Sequence, residues 1–386
     1  MSKVSELISI TILMCIITNP LFAQIIMYIP QGEVFDQLTG KGIIGATEMS
    51  VSNLNAGNPS VIAALKGINA GIAYQYNTPI NNSGLFEMDL YRANYWPQSV
   101  GVSVSYKTFS LGAGSSQKYS LTRDYGTITS VMVADNEQGY IESEPFEAKT
   151  KETLLKNALI ISHNLDRFLL ENHHLNIGVS FNHFRYYYAN IAVPEIIDNK
   201  RVNINENQFS AGFDYQYTTT NNSFINFGMF YEPELKFFKM EKSSLTQNFY
   251  KINIPQILNA GLSVNFQNIF QIRSDFSYLF WEALDENVYD FKNQLKASCT
   301  ITKQFMQSLS ISTGTCYTDR KFLEAIEYDG IDIKFFANYI FLGGNLKYNN
   351  YNFDLVVADS HLFSDDNRKQ TIVKMGFEYT FGKNNK

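Results

Sequence analysis

The chain has 386 residues, of which 45% are hydrophobic and 15% aromatic while only 18% are charged. A soluble chain of this length divides into two or more domains and carries more charge than this. The net charge of −6, with no stripe of Lys and Arg, argues against nucleic acid as a partner.

The N-terminus reads Met1-Ser2-Lys3, an apolar run from Leu7 to Ile17, then Asn19-Pro20-Leu21-Phe22-Ala23-Gln24. A positive start, an apolar centre shorter than the ~20 residues that span a bilayer, and a helix-breaking end on a small residue describe a secretory signal peptide. Cleavage is expected after Ala23, so residues 1–23 are the signal peptide. Cys15 follows Leu13 and Met14 without the small residues that a lipidation site needs. Beyond Gln24 no apolar stretch approaches the length of a membrane helix. A chain that stays in a membrane must then cross it as strands of a closed barrel.

Alternation of side chains supports that crossing. Candidate strands run from Gln98 to Thr108, Leu175 to Arg185 and Asn205 to Tyr217; in the last, Phe209, Ala211, Phe213, Tyr215 and Tyr217 share one face and Gln208, Ser210, Gly212, Asp214 and Gln216 the other. Ile254 to Phe266 follows. From Phe270 to Phe280 the apolar face carries Phe270, Ile272, Phe276, Tyr278 and Phe280, opposite Gln271, Arg273, Asp275 and Ser277. Leu295 to Thr302, Leu309 to Tyr317, Asn350 to Val357 and a last strand with Val373, Met375, Phe377, Tyr379 and Phe381 complete the series, with turns such as Asn221-Asn222 and Asn349-Asn350 between strands. The spacing predicts about fourteen strands with alternately short and long connections, both chain ends on the periplasmic side. The long polar segments Leu111 to Lys151, His183 to Asn205 and Lys236 to Asn253 are expected as extracellular loops. The first of them, with Asp135, Glu137, Glu142, Glu144 and Glu147, is a candidate cation site or simply a solvated face.

The alternative is a soluble β-sandwich or β-helix, whose strands also alternate. The signal peptide, the polarity of the second face over many strands, and aromatics placed as interfacial girdles (Trp96, Tyr278, Phe280, Trp281, Tyr379) favour the membrane barrel. The ending Tyr379-Thr380-Phe381 resembles the C-terminal signal of barrel-assembly clients. Cys299 falls on the apolar face and Cys316 on the polar face, so no disulfide is expected.

Catalytic signatures are missing: there is no Gly-x-Ser-x-Gly, His-Glu-x-x-His or Cys-x-x-Cys. His173-His174 beside Glu171 sit at an expected turn, without further metal ligands. Ser360-His361 keeps open a surface hydrolase like those on some outer-membrane barrels. The expectation is a protein that is not an enzyme, with no metal and no cofactor.

Several short stretches resemble the FadL-type outer-membrane transport proteins, a family that includes the outer-membrane shuttle of the Bacteroidetes type IX secretion system. Asn58-Pro59-Ser60, ahead of Leu65-Lys66-Gly67 and Gly71-Ile72-Ala73-Tyr74, is similar to the family's Asn-Pro segment leading into the first barrel strand. Ile254-Pro255-Gln256-Ile257, Gly261-Leu262-Ser263-Val264, Asp275-Phe276-Ser277-Tyr278 and Trp281 resemble a strand pair opened by a proline and closed by an acidic residue and a tryptophan. Asn207 to Pro233 and Ile331 to Asp359 fit its middle and late strand pairs. The family's glycine-rich run is reduced here to Gly40, Gly42, Gly45 and Ala46, followed by Thr47-Glu48-Met49.

The resemblance implies an all-β transmembrane antiparallel barrel over residues 61–386 and a small hatch over residues 24–60 inside it. It also implies the bacterial cell outer membrane as location, outer-membrane lipid as surroundings, and a small hydrophobic molecule, fatty-acid-like or aromatic, as cargo. The second expectation is a plugged barrel that docks a secretion or surface-protein partner; the third is a general diffusion pore. A TonB-dependent receptor, with about 22 strands and a large plug, does not fit the length. The inward faces carry Asn176, Asn182, Asp214, Arg273, Asp275, Lys296, Lys374 and Glu378. These side chains are expected to make a hydrated or hydrogen-bonded interior, paired with one another and with the hatch.

Overall fold

In a computed structural model of the protein, the described residues are 38–381 apart from 44, 49, 78–79, 84–86, 92–96, 129–131, 136–138, 143–144, 194–200, 220, 222, 243–246, 268, 285–292, 320–335 and 364–370. The expected signal peptide, the first part of the expected hatch and Trp96 lie outside them.

The alternating segments pair in chain order into an antiparallel wall of fourteen strands. These are β1 (Ile68–Asn77), β2 (Ser99–Tyr106), β3 (Phe109–Ile128), β4 (Phe146–Asn164), β5 (His173–Val193), β6 (Arg201–Thr218) and β7 (Phe224–Glu232). The second half is β8 (Ile257–Phe266), β9 (Phe270–Leu279), β10 (Gln294–Met306), β11 (Leu309–Asp319), β12 (Phe336–Tyr348), β13 (Tyr351–Asp359) and β14 (Thr371–Phe381). The last strand pairs with the first, from Phe381↔Ile68 to Ile372↔Asn77. Closure leaves the wall without an edge, which is what hydrocarbon demands of a sheet, because an unpaired N–H or C=O there costs several kcal/mol.

Short connections alternate with long ones, and the described wall begins and ends on the short side. Three of the short turns place a non-glycine residue in the left-handed region: Lys107 (φ 56), Gln267 (φ 53) and Asn349 (φ 54). The outer face presents a continuous apolar belt. Phe209 is 67% exposed, Leu342 62%, Val102 52% and Leu262 48%, an amount of bare apolar surface that water would drive into aggregation. Cys299 lies on this exposed face and Cys316 is buried inside, as their parity in the sequence requires.

Two expectations are corrected. The supposed loops Leu111 to Lys151 and His183 to Asn205 are largely wall: β3, β4, β5 and β6 run for 20, 19, 21 and 18 residues, about twice what a bilayer needs. Lys236 to Asn253 falls largely in a hairpin, with Leu235–Lys242 paired to Gln247–Ile254. Where a strand rises out of the membrane both faces can be polar, so the period-two signal fades although the ladder continues. The side chains of Asp135 and Glu142, like Glu137 and Glu144 entirely, lie outside the described residues; of the expected acidic cation site only Glu147 is described, exposed and 3.9 Å from Lys149 Nζ. Trp281 is the second correction: it is fully buried instead of facing lipid, and its indole N–H donates to Gln294 Oε1 at 2.9 Å. The strand has ended at Leu279, and a 3₁₀ turn, Trp281–Leu284, carries the ring inward. Tyr278 and Phe280 do keep an edge-to-face contact, with centroids 4.9 Å apart.

The β4–β5 turn is the longest on the short side. Its Asp166 carboxylate meets His174 Nδ1 at 2.7 Å and accepts the Leu175 N–H at 3.1 Å. Partial burial works to raise this carboxyl, but the hydrogen bonds of His174, Asn164 and Leu175 and the charge of His174 leave it below its ordinary value. A depressed acid contributes stability above its unfolded pKa and loses it as pH falls through the folded one. Asp166→Asn is therefore expected to lower the thermal unfolding temperature at neutral pH, and the gap to wild type should close as pH is taken below the carboxylate range, followed by heat-modifiable gel mobility.

Candidate functional site

Fourteen strands enclose more room than wall side chains can fill, since about eight already make a filled barrel. The segment Leu38 to Leu65 occupies that room in the half nearest the short turns. It comprises a small hairpin (Leu38–Thr39 with Gly42–Ile43), a 3₁₀ turn at Val51–Asn53 and a second at Pro59–Ala64. The first wall strand begins only at Ile68.

Backbone comes close to the wall here, so the wall is small where the segment passes. A Cβ added to Gly178 would lie 2.5 Å from the backbone of Pro59 and Ser60, and one on Gly71 the same distance from Ser52 N. Gly178→Val is expected to overpack this contact, a loss of ~1–3 kcal/mol or more, seen as a lower temperature for the shift from folded to unfolded mobility on a denaturing gel.

Around the circumference, inward polar side chains bind the segment. Arg273, 2% exposed, donates through Nη2 to the carbonyls of Ile43 at 2.6 Å and Lys41 at 3.1 Å, and through Nη1 to Glu48. Its Nε lies 3.5 Å from Asp275 Oδ2, and Asp275 Oδ1 accepts the Ala46 N–H at 2.9 Å. Glu378 accepts from Ser50 Oγ, from the Ser52 N–H at 3.2 Å and from Asn352 Nδ2 at 2.9 Å. Lys374 Nζ donates to Asn53 Oδ1 at 3.1 Å.

The Asn58-Pro59-Ser60 motif is the clamp on the other wall. Asn58 caps the 3₁₀ turn by accepting from Ser60 N and Oγ at 3.1 and 2.8 Å, with Pro59 at the first helical position where its missing N–H costs nothing. Its amide donates to Ala46 O at 2.8 Å and Phe213 O at 2.7 Å. Of the expected lumen residues, Arg273, Asp275, Lys374 and Glu378 thus converge on the segment. Asp214 does not: Asn176 Nδ2 donates to it at 3.2 Å within the wall, and Asn182 likewise donates to Ser210 Oγ at 3.1 Å. Lys296 is buried beside Asp275. The segment supplies its own charges in Glu48, noted in the sequence only as part of the Thr47-Glu48-Met49 departure, and in Lys41, not singled out there. The polar interior is therefore a seat that binds the segment through hydrogen bonds and ion pairs.

Removing one partner of a buried ion pair costs on the order of 3–5 kcal/mol because the other charge is stranded. Arg273→Met is expected to show that loss as a large fall in unfolding temperature, and to turn a silent protein into one with open-channel steps in planar bilayers as the segment loosens. Lys at 273 should restore only part, since it lacks the guanidinium fork.

Toward the long loops the inner face changes character. Leu154, Phe184, Tyr186, Val202 and Ile204 form one buried cluster on β4, β5 and β6, closed by Leu235 and Ile254 from the base of the hairpin. Register aligns Leu154 with Tyr186 and Tyr186 with Ile204. Beneath it Lys156 pairs with Glu232, donates to Asn55 O at 3.2 Å and sits 5.7 Å from the Phe184 ring centroid. Across the barrel Tyr339, Phe341, Val356, Ala358, Ile372 and Cys316 pack with Ile43. These residues share the parity of the polar rows below them, so a change from polar to apolar along one inner face was the available signal. Among the described residues the β1–β2 ladder is short: it runs from Ile68↔Val104 to Ala73↔Ser99 although β1 continues to Asn77, the chain at Pro97-Gln98 lies outside it, and β3 is next paired by Glu87–Tyr91, from Tyr91↔Thr122 to Asp89↔Asp124. A proline has no N–H to offer the next rung.

Among the described residues no group of His, Cys, Asp and Glu could hold a metal ion. His361 Nδ1 lies 3.0 Å from Asp359 Oδ2, and Ser360 is 1% exposed. His173 contacts the Tyr215 hydroxyl at 2.5 Å.

No family model matches the sequence, and no curated protein matches it. The fold does have solved counterparts. The toluene transporter TodX of P. putida aligns with a TM-score of 0.59 at 11% identity, over 92% of this chain and 100% of that one. The Ralstonia pickettii toluene transporter TbuX gives 0.59 at 9%, over 90% and 98%. A Pseudomonas aeruginosa FadL homologue gives 0.56 at 9%, over 92% and 100%. The chain has the FadL-type barrel fold, as its short motifs led one to expect.

Proposed function

We propose that this outer-membrane barrel moves small hydrophobic molecules across the outer membrane. The apolar inner face on the long-loop side carries the proposal: Leu154, Phe184, Tyr186, Val202 and Ile204 pack together inside the barrel under Leu235 and Ile254, just above a polar seat. A water channel gains nothing from such a wall, whereas an apolar ligand gains ~25 cal/mol for each Å² it buries. Two of the structural neighbours are toluene transporters, which supports the same cargo class here.

In the FadL-type arrangement the long loops face outward, so cargo would arrive among Leu235, Ile254 and the cluster, with the bound hatch below. The interruption of the β1–β2 ladder at Pro97-Gln98 supports a side exit into the bilayer.

Equilibrium binding tests this. Purified protein is expected to bind labelled toluene or hexadecanoate saturably, and Phe184→Asp or Tyr186→Asp to weaken that binding at least tenfold, while Gly344→Ala on the outer wall leaves it unchanged. Absence of any saturable binding, together with a protein retained in equal amount in native mass spectra, would sink transport and favour the docking alternative.

A further inference from the structure

The lipid-facing belt is not uniformly convex. Over β11 to β14 and β1 it holds an apolar groove of about 520 Å³. Its walls are two cross-strand rows fixed by register. Leu346 pairs with Phe353 and Phe353 with Phe377; one rung further from the short turns, Gly344 pairs with Leu355, Leu355 with Met375 and Met375 with Tyr74. The groove exists because Gly344 stands where the outward face of β12 otherwise carries Leu342 and Leu346. A Cβ on Gly344 would meet nothing within 4 Å. Asn345 and Asp354 border the floor, but their side chains face the lumen, where Asn345 Nδ2 donates to Asp354 Oδ1 at 2.6 Å. The surface offered to the membrane is hydrocarbon.

We propose that this groove holds one acyl chain of a phospholipid as a retained, specific lipid. Three observations select that occupant. The groove interrupts a belt that faces hydrocarbon on every side, so a chain already dissolved in the bilayer reaches it without crossing water. Its volume is more than three times that of the engineered cavity of about 150 Å³ that takes one benzene, so a single ring leaves most of it empty while a long alkyl chain fills it. It also sits near the short turns, within a few residues of Tyr348, Tyr351 and Leu309, which in bacterial barrels is the periplasmic side. The lipids of that leaflet are phospholipids. An unfilled gap on an apolar wall forfeits dispersion contacts on one side; a chain lying over Gly344 between Leu346 and Leu355 restores them. This occupant does not depend on what the lumen carries.

Gly344 makes the test clean, because its backbone is not in the left-handed region and a larger side chain there points into open space. Mature wild-type protein, Gly344→Ala, Gly344→Leu and Gly344→Phe are assembled in nanodiscs of phosphatidylethanolamine and released in native mass spectra at rising collision energy, with folded gel mobility verified for each. Wild type and the alanine variant are expected to keep one phosphatidylethanolamine after all others have been stripped, and the leucine and phenylalanine variants to lose it. Equal lipid retention in all four would overturn the proposal. So would a retained species with the mass of a free fatty acid in place of the phospholipid. Loss of toluene or hexadecanoate binding in the lumen would not, which keeps the two functional claims separable.

Discussion

A ring of fourteen strands is too wide to be filled by its own side chains and too narrow to be left open without becoming a pore. Everything inside this protein follows from how that space is occupied. Between Leu38 and Leu65 the chain passes through it in irregular conformation, and the wall answers with glycine where the backbone touches and with charge or amide where a carbonyl or N–H must be satisfied. An irregular segment at membrane depth survives only because it is enclosed in protein that supplies those partners. Arg273 is the strongest example from the wall, donating to the carbonyls of Lys41 and Ile43, and Asn58 returns the bond from the segment, donating to Phe213 O of the wall and to Ala46 O.

Parity along each strand was legible in the sequence. Phe276 faces outward and Asp275 inward, and the same alternation separates Cys299 from Cys316, because nothing but a two-residue repeat is needed to tell the faces apart. The inward charges were legible as inward, but not their partners. Arg273 meets Glu48 and Asp275 meets Ala46 across 225 and 229 positions of chain, and no local pattern encodes such a meeting. Trp281 was misread for a related reason: an aromatic just past a strand end belongs to a girdle if the chain continues outward and to the interior if it turns back, and the 3₁₀ turn decides. The tall strands β3 to β6 escaped because amphipathicity reports the bilayer, and their upper parts have water, not lipid, outside.

The same misreading hid the apolar cluster. Tyr186, Val202 and Ile204 lie in the stretch that resembled a loop, yet they continue the inward rows that begin with Asn176 and Asp214. One inner face thus carries two chemistries in sequence along the barrel axis. The boundary falls at Lys156, whose ammonium is held by Glu232 and Asn55 O while its stem and the Phe184 ring share the contact above. Long cationic side chains suit such a boundary, since the stem is apolar and only the tip requires polar company.

This division sets the energetics for any hydrophobic molecule in the lumen. Moving down toward the short turns, it would have to part hydrogen bonds and buried ion pairs that it cannot replace, and each polar group left unsatisfied costs ~1–3 kcal/mol, more when it is charged. Moving sideways, it would meet a wall whose ladder already stops at Ala73↔Ser99 because Pro97 and Gln98 do not extend it. Beyond that wall lies hydrocarbon, where burial of apolar surface is retained. The lateral direction is therefore the one in which an apolar molecule gives up least. On the function proposed above, the tight polar seat and the short β1–β2 ladder would be parts of one arrangement: the bonded segment would raise the barrier along the axis, and the missing rungs would lower it across.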